Sequence, residues 1–191
     1  MLTQRIANAL ALAVEAHDGQ KRKGTNIPYV AHPMAVAAIA LDYGATEDQA
    51  IAALLHDVLE DGGAHYAPII RERFGEAVLA IVEGCTDGVP DAQGKKADWQ
   101  ERKQHYLDHL GTTTAEIILV SGADKLHNAR AIVSDLQSLG AEVFDRFTAK
   151  REGTLWYYRQ LAGIFSRRNA PMARQLEATV AEMERLAGIA P

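Results

Sequence analysis

One short stretch of the sequence, IAALLHDVLED at residues 51–61, gathers residue types that bind metal ions and transfer protons. If the stretch is helical, His56 and Glu60 stack four residues apart, and Asp57 and Asp61 stack beside them. One flank of that helix then carries an imidazole and three carboxylates, while aliphatic residues cover the other flank at core spacing. Unpaired carboxylates are costly to bury, and a divalent cation neutralises them. The stretch therefore predicts a metal-centred site, with a solvated acidic helix end as the alternative.

Two further candidate ligands lie far from this stretch. His32 precedes Pro33, which biases it away from helical geometry and predicts that it is the last residue before a helix. Asp124 lies within the largely apolar segment AEIILVSGADKLHN, where a buried acid needs a partner. Together with His56 and Asp57 they supply two imidazoles and two carboxylates, a mixed set that suits Mn, Fe or Zn rather than Ca.

Each distant ligand also has a simpler interpretation when it is taken alone. His32 fits a capping residue between a loop and a helix, and Asp124 fits a buried ion-pair partner of Arg130 or Lys125. A shared cation is the more economical interpretation because it satisfies all four side chains at once.

Charged residues near these ligands indicate phosphate chemistry. A metal held by such ligands lowers the pKa of bound water and supplies a nucleophile near neutral pH. Glu60 and Asp61, one helical turn beyond the ligand pair, are placed to orient or deprotonate that water, or to protonate a leaving oxygen. The three consecutive cations at residues 21–23, one loop before His32, could neutralise phosphate charge, although a solvated loop is the alternative.

The elements that position these residues are predicted to be helices. Apolar residues recur at helical spacing, and strict alternation is absent over any useful length. Thr46 and Gln49 form a capping-box pattern before the helix that carries His56. The fold class is therefore all-α, a compact multi-helix bundle, with a polar loop at residues 86–98 that is a candidate lid. The predicted helices are residues 2–17, 33–43, 46–61, 66–74, 76–83, 99–110, 115–139, 154–165 and 171–186.

The length, net charge and cysteine content of the chain argue against several classes of protein. A length of 191 residues suits one domain, residues 1–191, and the net charge of −5 argues against a binder of duplex nucleic acid. Cys85 is the only cysteine, which excludes an intrachain disulfide and a thiolate zinc cluster. No apolar run reaches membrane-spanning length, and residues 1–16 lack the pattern of a secretory signal. We therefore expect a cytoplasmic protein without a membrane partner.

Four motifs occur in an order that resembles the HD superfamily of metal-dependent phosphohydrolases. They are AHDGQKRKG…IPYVAHP at 16–33, AALLHDVLED at 52–61, FGEAV…VEGCTD at 74–87 and ADKLHNAR at 123–130. More narrowly, the sequence resembles the hydrolase domain of Rel/Spo-type alarmone enzymes and the stand-alone small alarmone hydrolases. LHDVLED followed by ADKLHN is a specific signal, whereas a lone HD pair would be weak.

The resemblance implies three groups of site residues. The ligands of one metal ion, typically manganese with Zn, Fe or Ni able to replace it, are His32, His56, Asp57 and Asp124. The catalytic acidic pair is Glu60 and Asp61. The residues that contact the nucleotide and its phosphates are Arg22, Lys23, Asn128 and Tyr158.

The implied reaction is hydrolysis of the 3′-pyrophosphate of (p)ppGpp, which releases pyrophosphate and GDP or GTP. Because the chain ends at Pro191, we expect no synthetase activity. Two alternatives stay open. One is a related HD phosphohydrolase that acts on ppApp, a nucleoside monophosphate or NADPH, and the other is a helical nucleotide-binding module whose metal is structural.

Four positions depart from the residues usual in that family. Threonine is usual at the positions of Gly62 and Ala131, lysine at the position of Ser121, and an apolar residue at the position of Gly122. The predicted ligands and the acidic pair are intact.

Overall fold

Helices make up the regular structure of the protein. The computed structural model describes residues 1–88 and 98–188, and within those ranges β-type pairing is limited to one isolated bridge between Lys21 and Pro28. The all-α prediction is confirmed. In chain order the helices are α1 (Gln4–Ala16), α2 (Ala31–Asp42), α3 (Glu47–Leu55), α4 (Tyr66–Phe74), α5 (Glu76–Cys85), α6 (Trp99–Thr112), α7 (Ala115–Leu139), α8 (Lys150–Arg167) and α9 (Ala173–Leu186). A π-helical turn at Val58–Gly62 follows α3, and a 3₁₀ segment at Gly140–Arg146 follows α7.

The long helix α7 organises the core. It packs against α2, α3, α5 and α9, and its N-terminal half is buried on nearly every side. Gly122 allows α9 to approach, since a Cβ atom at this position would collide with the thioether of Met172. None of the described helices combines the length and the apolar character that a bilayer-spanning segment needs. The central residues of the predicted loop at 86–98 lie outside the described residues.

The short helix α3 brings the HD pair into the core. Thr46 accepts a hydrogen bond from the backbone N–H of Gln49, and the Gln49 side chain accepts one from the backbone N–H of Thr46 at 2.8 Å. This is the capping box that the sequence predicts. Ala50, Ala52 and Ala53 are fully buried, and their small side chains allow α1, α2 and α5 to pack closely around α3.

We expect Thr46→Ala to lower the free energy of unfolding by about 1 kcal/mol, since the helix loses a side-chain cap. Chemical denaturation measures this loss. Thr112→Ala, an exposed threonine at the end of α6, is the control and should change stability by less than about 0.5 kcal/mol. A loss at Thr46 no larger than the loss at Thr112 would contradict the capping role.

The prediction of one continuous helix through residues 46–61 is wrong. The α-helix ends at Leu55, and the chain continues as the π-helical turn at Val58–Gly62, in which the backbone N–H of Gly63 donates to the carbonyl of Val58 at 3.2 Å. Gly63 adopts a φ of +109°, which ends the turn and directs the chain into α4. Turns of this kind are frequent at functional sites because they re-aim side chains relative to the preceding helix.

The position predicted for His32 also needs correction. The helix α2 begins at Ala31, so His32 lies inside its first turn rather than before it. Pro33 is tolerated there because the first turn of a helix has no use for the backbone N–H that proline lacks. His32 therefore has a helical backbone and a buried side chain.

Candidate metal centre and adjoining cavity

Four side chains from three separate segments converge on one point. The Nε2 atom of His32 on α2 lies 3.4 Å from Oδ2 of Asp57 and 3.1 Å from Oδ1 of Asp124 on α7. The Nε2 atom of His56 lies 3.0 Å from the same Asp57 oxygen and 3.7 Å from the same Asp124 oxygen. Atoms bound at about 2.1 Å to one ion lie about 3.0 to 3.4 Å apart at octahedral or tetrahedral angles. Three of the four distances lie in this range and the fourth is 3.7 Å, so the four side chains are close enough to share one ion.

The His56 ring leaves a nitrogen available for that ion. Its Nδ1 donates to the carbonyl oxygen of Ala53 at 2.8 Å, which places the lone pair of the neutral ring on Nε2. That Nε2 atom is buried and has no hydrogen-bond partner. An orphaned buried nitrogen beside two carboxylates is what a bound divalent cation would satisfy. The residues present therefore fit a metal.

Charge in the cluster also favours a cation. Burial alone would raise the pKa of Asp57, but the His56 imidazole outweighs it and holds that pKa well below its usual range. Burial would also raise the pKa of Asp124, but the Lys125 ammonium group outweighs this effect and holds the Asp124 pKa well below its usual range. Burial disfavours charge on His56, yet the Asp57 carboxylate raises the pKa of His56 well above its usual range. Two ionised carboxylates therefore favour positive charge beside them, either a proton on Nε2 of His56 or a cation that replaces that proton.

A second layer of side chains fixes the two carboxylates. The Tyr29 hydroxyl donates to Oδ2 of Asp57 at 2.7 Å. Lys125 Nζ donates to Oδ2 of Asp124, and Asn128 Nδ2 donates to Oδ1 of Asp124, each at 2.6 Å. Contacts of this kind orient metal ligands and limit their rotation.

The simpler interpretation of Asp124 is correct in one respect. Asp124 does pair with Lys125, whereas Arg130 instead donates to Gln175 on α9. The pairing leaves Oδ1 of Asp124 facing both histidines, so it does not compete with a shared ion.

A cavity of about 730 Å³ adjoins the cluster. His32 and Asp61 both lie in its wall, and so do the predicted substrate-binding residues Arg22, Lys23 and Tyr158. Asn128, the fourth of that group, also lines the cavity and accepts a hydrogen bond from Arg22 at 2.8 Å. Although the whole chain is acidic, cations dominate this wall and suit a multiply charged anion. They are Lys21, Arg22, Lys23, Lys103, Lys125 and Arg146.

The two acidic residues predicted for catalysis lie on the π-helical turn. Asp61 lines the cavity, and its Oδ2 accepts a hydrogen bond from Gln20 Nε2 at 2.9 Å. The side-chain oxygen of Gln20, Oε1, is in turn 2.7 Å from Nδ1 of His17. Glu60 is half-buried, and its negative charge acts on the Lys103 ammonium group. Both acids thus lie on the turn that follows the HD pair, Asp61 in the cavity wall and Glu60 within electrostatic range of Lys103.

Several residues of the cavity wall were not predicted from the sequence. Lys103 reaches the cavity from α6 and forms an ion pair with Asp87. Burial lowers the pKa of Lys103, and the nearby Lys125 charge lowers it further, whereas the Asp87 carboxylate raises it; the net shift is downward. Arg146 comes from the 3₁₀ segment and pairs with Asp135 at 2.7 Å. Lys103 is one of many charged positions on an amphipathic helix, so no local signal separates it from solvated lysines.

Three of the four departures from the family pattern are packing positions. A side chain at Gly62 would press on the Tyr66 ring, and one at Gly122 would collide with Met172. Ser121 is buried, 2.9 Å from the Tyr106 hydroxyl. Ala131 differs from these three because it lines the cavity, which makes it the departure that can alter substrate contacts.

The fold and this site define a family. The chain belongs to the HD domain family, whose profile matches residues 9–155. A relative from Xenopus tropicalis, guanosine-3′,5′-bis(diphosphate) 3′-pyrophosphohydrolase MESH1, is 38% identical over 128 residues, which are 65% of this chain and 68% of that protein. The guanosine-3′,5′-bis(diphosphate) 3′-pyrophosphohydrolase of Aquifex aeolicus is 37% identical over 131 residues. That match covers 68% of this chain but only 18% of the longer Aquifex protein.

Solved structures agree with this assignment. The structure of a metazoan ortholog of SpoT that hydrolyses ppGpp has a TM-score of 0.74 and 25% sequence identity, with 100% of this chain and 99% of that chain covered. A structure of lmo0812 from Listeria monocytogenes has a TM-score of 0.69 and 26% identity, with 82% of this chain covered. The resemblance to HD phosphohydrolases stated from the motifs is confirmed.

Metal addition should stabilise the folded protein, because only the folded state brings the four ligands together. At a free metal concentration 100 times Kd the gain is about 2.7 kcal/mol. For a chain of this size it corresponds to a rise in Tm of about 5 to 10 °C. Calorimetric melting of metal-stripped protein with and without Mn²⁺ measures the rise, and an unchanged Tm at saturating Mn²⁺ would contradict the metal centre.

Proposed function

We propose that this chain hydrolyses the 3′-pyrophosphate of guanosine-3′,5′-bis(diphosphate) with one bound manganese ion. The observation that carries the proposal is the cluster of two imidazoles and two carboxylates, which adjoins a cavity whose charged residues are mostly cations. A candidate metal site therefore lies next to a cavity that suits a multiply charged anion. The donor set suits manganese, although Zn and Fe share a preference for it.

The relatives support the nature of the substrate. The Xenopus and Aquifex proteins are both named as 3′-pyrophosphohydrolases of this nucleotide, and the metazoan SpoT ortholog hydrolyses ppGpp. The Xenopus protein is matched over 68% of its length, so the comparison covers most of that hydrolase. We propose that this chain has the same activity.

Each group of residues has a distinct part in the proposed reaction. When bound to His32, His56, Asp57 and Asp124, the divalent cation supplies Lewis-acid activation of water and neutralises phosphate charge. Arg22 and Lys23, which line the cavity, hold the phosphates. Glu60 and Asp61 move protons, one from the attacking water and one to the leaving 3′-oxygen. Water is consumed, the ester bond at the 3′ position breaks, and pyrophosphate leaves while the ribose keeps a 3′-hydroxyl.

Gln20 and Asn128 position groups in this scheme. Gln20 holds Oδ2 of Asp61 through a side-chain hydrogen bond, which limits the directions in which the carboxylate can face. Asn128 connects the metal ligand Asp124 to Arg22, so the phosphate-binding wall and the metal centre are joined by direct contacts. A substrate bound by Arg22 is thereby placed relative to the ion.

A panel of nucleotides tests the proposal against its alternatives. Purified protein with Mn²⁺ is incubated separately with ppGpp, ppApp, a nucleoside monophosphate and NADPH. We expect pyrophosphate and GDP from ppGpp. Release of orthophosphate from NADPH or the monophosphate, with ppGpp left intact, would instead support the related HD phosphohydrolase. Binding of ppGpp without any product would support the nucleotide-binding module.

A further inference from the structure

A third histidine, outside the predicted ligand set, contacts one of the ligands. His127 lies on α7, three residues after Asp124, and its ring centroid is 4.9 Å from that of His32. The two Nδ1 atoms are 2.8 Å apart, a hydrogen-bond distance between two nitrogens. His32 is 1% exposed, so water has little access to its side chain, whereas His127 is half-buried and lines the cavity.

The geometry determines where the protons lie. Two nitrogens at this distance share one proton, because two N–H groups facing each other would repel and two lone pairs would form no bond. The Nε2 atom of His32 faces the ligand oxygens, so it must carry the lone pair that binds the ion. The single proton of the neutral His32 ring is then on Nδ1, which donates to the bare Nδ1 of His127. The remaining proton of His127 lies on its Nε2.

We propose that His127 is a positioning residue for the metal centre. By accepting the proton of His32 Nδ1, it holds His32 in the tautomer and the ring orientation in which Nε2 binds the ion. The backbone carbonyl of Ala53 performs the same role for His56. Such a partner is worth about 10- to 100-fold in metal affinity. The inference rests on the metal centre of the proposed function and does not depend on the substrate.

Two substitutions of His127 separate positioning from packing. His127→Leu removes the acceptor and keeps an apolar side chain. His127→Asn retains an acceptor, because its Oδ1 atom is the same number of bonds from Cα as the Nδ1 atom of histidine. His105→Leu, an exposed histidine on α6, controls for non-specific loss of an imidazole.

Calorimetric titration of the metal-stripped full chain with Mn²⁺ is the first measurement. We expect His127→Leu to weaken Kd by about 10- to 100-fold, with His127→Asn and His105→Leu within about threefold of the unsubstituted protein. Equal affinity in His127→Leu and the unsubstituted protein would overturn the inference. So would an equal loss in the Leu and Asn variants, since packing alone would then explain it.

The second measurement reads the tautomers directly and needs no variant. In ¹⁵N spectra of histidine-labelled protein loaded with diamagnetic Zn²⁺, we expect a proton on Nδ1 of His32 and on Nε2 of His127. A proton on Nδ1 of His127 would overturn the inference even if His127→Leu failed to fold. If the unsubstituted chain bound neither metal, the metal centre itself would fail, whereas metal binding that is indifferent to His127 would remove only this inference.

Discussion

Replacement of Glu60 by Gln and Asp61 by Asn is expected to lower turnover of ppGpp by about 10²- to 10⁴-fold. The amides keep the size of the acids but can neither take a proton from water nor give one to the leaving oxygen. Neither acid belongs to the ligand cluster, so Mn²⁺ affinity should stay within about threefold. Pyrophosphate release under saturating Mn²⁺ measures the first quantity, and calorimetric titration measures the second.

The control for the Glu60 and Asp61 variant makes the same two kinds of substitution at other positions. Glu72→Gln on α4 and Asp108→Asn on α6 alter exposed acids that do not line the cavity, and their combination should leave turnover and metal affinity unchanged. If the Glu60 and Asp61 variant turned over ppGpp as fast as this control, the acid–base role would be wrong. A large loss of Mn²⁺ binding in the same variant would instead mean that the acids act through the metal.

Replacement of Asp124 by Ala should abolish the rise in Tm that Mn²⁺ produces in the unsubstituted protein. The substitution removes one of four ligand atoms and leaves the Lys125 ammonium group without its carboxylate. An unpaired buried charge costs about 3 to 5 kcal/mol, so the metal-free variant should also melt at a lower temperature. The expected shift on addition of Mn²⁺ falls from about 5 to 10 °C to less than about 1 °C.

Two further variants keep this result interpretable. Asp124→Asn retains the side-chain volume and a hydrogen-bonding oxygen, so it separates loss of a charged ligand from loss of packing. Asp145→Asn changes an aspartate that is 79% exposed and paired with Lys150, and its Mn²⁺-induced shift should equal that of the unsubstituted protein. Full metal content in Asp124→Ala would show that the ion is held elsewhere.

The proposed metal ligands could be located from the sequence because their residue types are unusual where they occur. An acid within the apolar part of α7 and an imidazole–carboxylate pair at the end of α3 have few structural explanations other than a shared partner. The start of α3 could also be predicted, since Thr46 caps the helix that it was predicted to begin. Local chemistry determines features of this kind.

Geometry that depends on neighbouring segments could not be found in the same way. The π-helical turn at Val58–Gly62 has Gly62 against the Tyr66 ring and ends at Gly63 with a positive φ, and neither feature is visible in the pattern of apolar residues. The contact between His32 and His127 joins residues 95 positions apart, so it emerges only when α2 packs on α7. Lys103 and Arg146 reach the cavity for the same reason.

Anomalous diffraction from crystals grown with one equivalent of Mn²⁺ would locate the ion among its proposed ligands. We expect one strong peak, within about 2.0 to 2.4 Å of Nε2 of His32, Nε2 of His56, an Asp57 oxygen and an Asp124 oxygen. A peak at any other position, or no peak in protein that still hydrolyses ppGpp, would contradict this expectation.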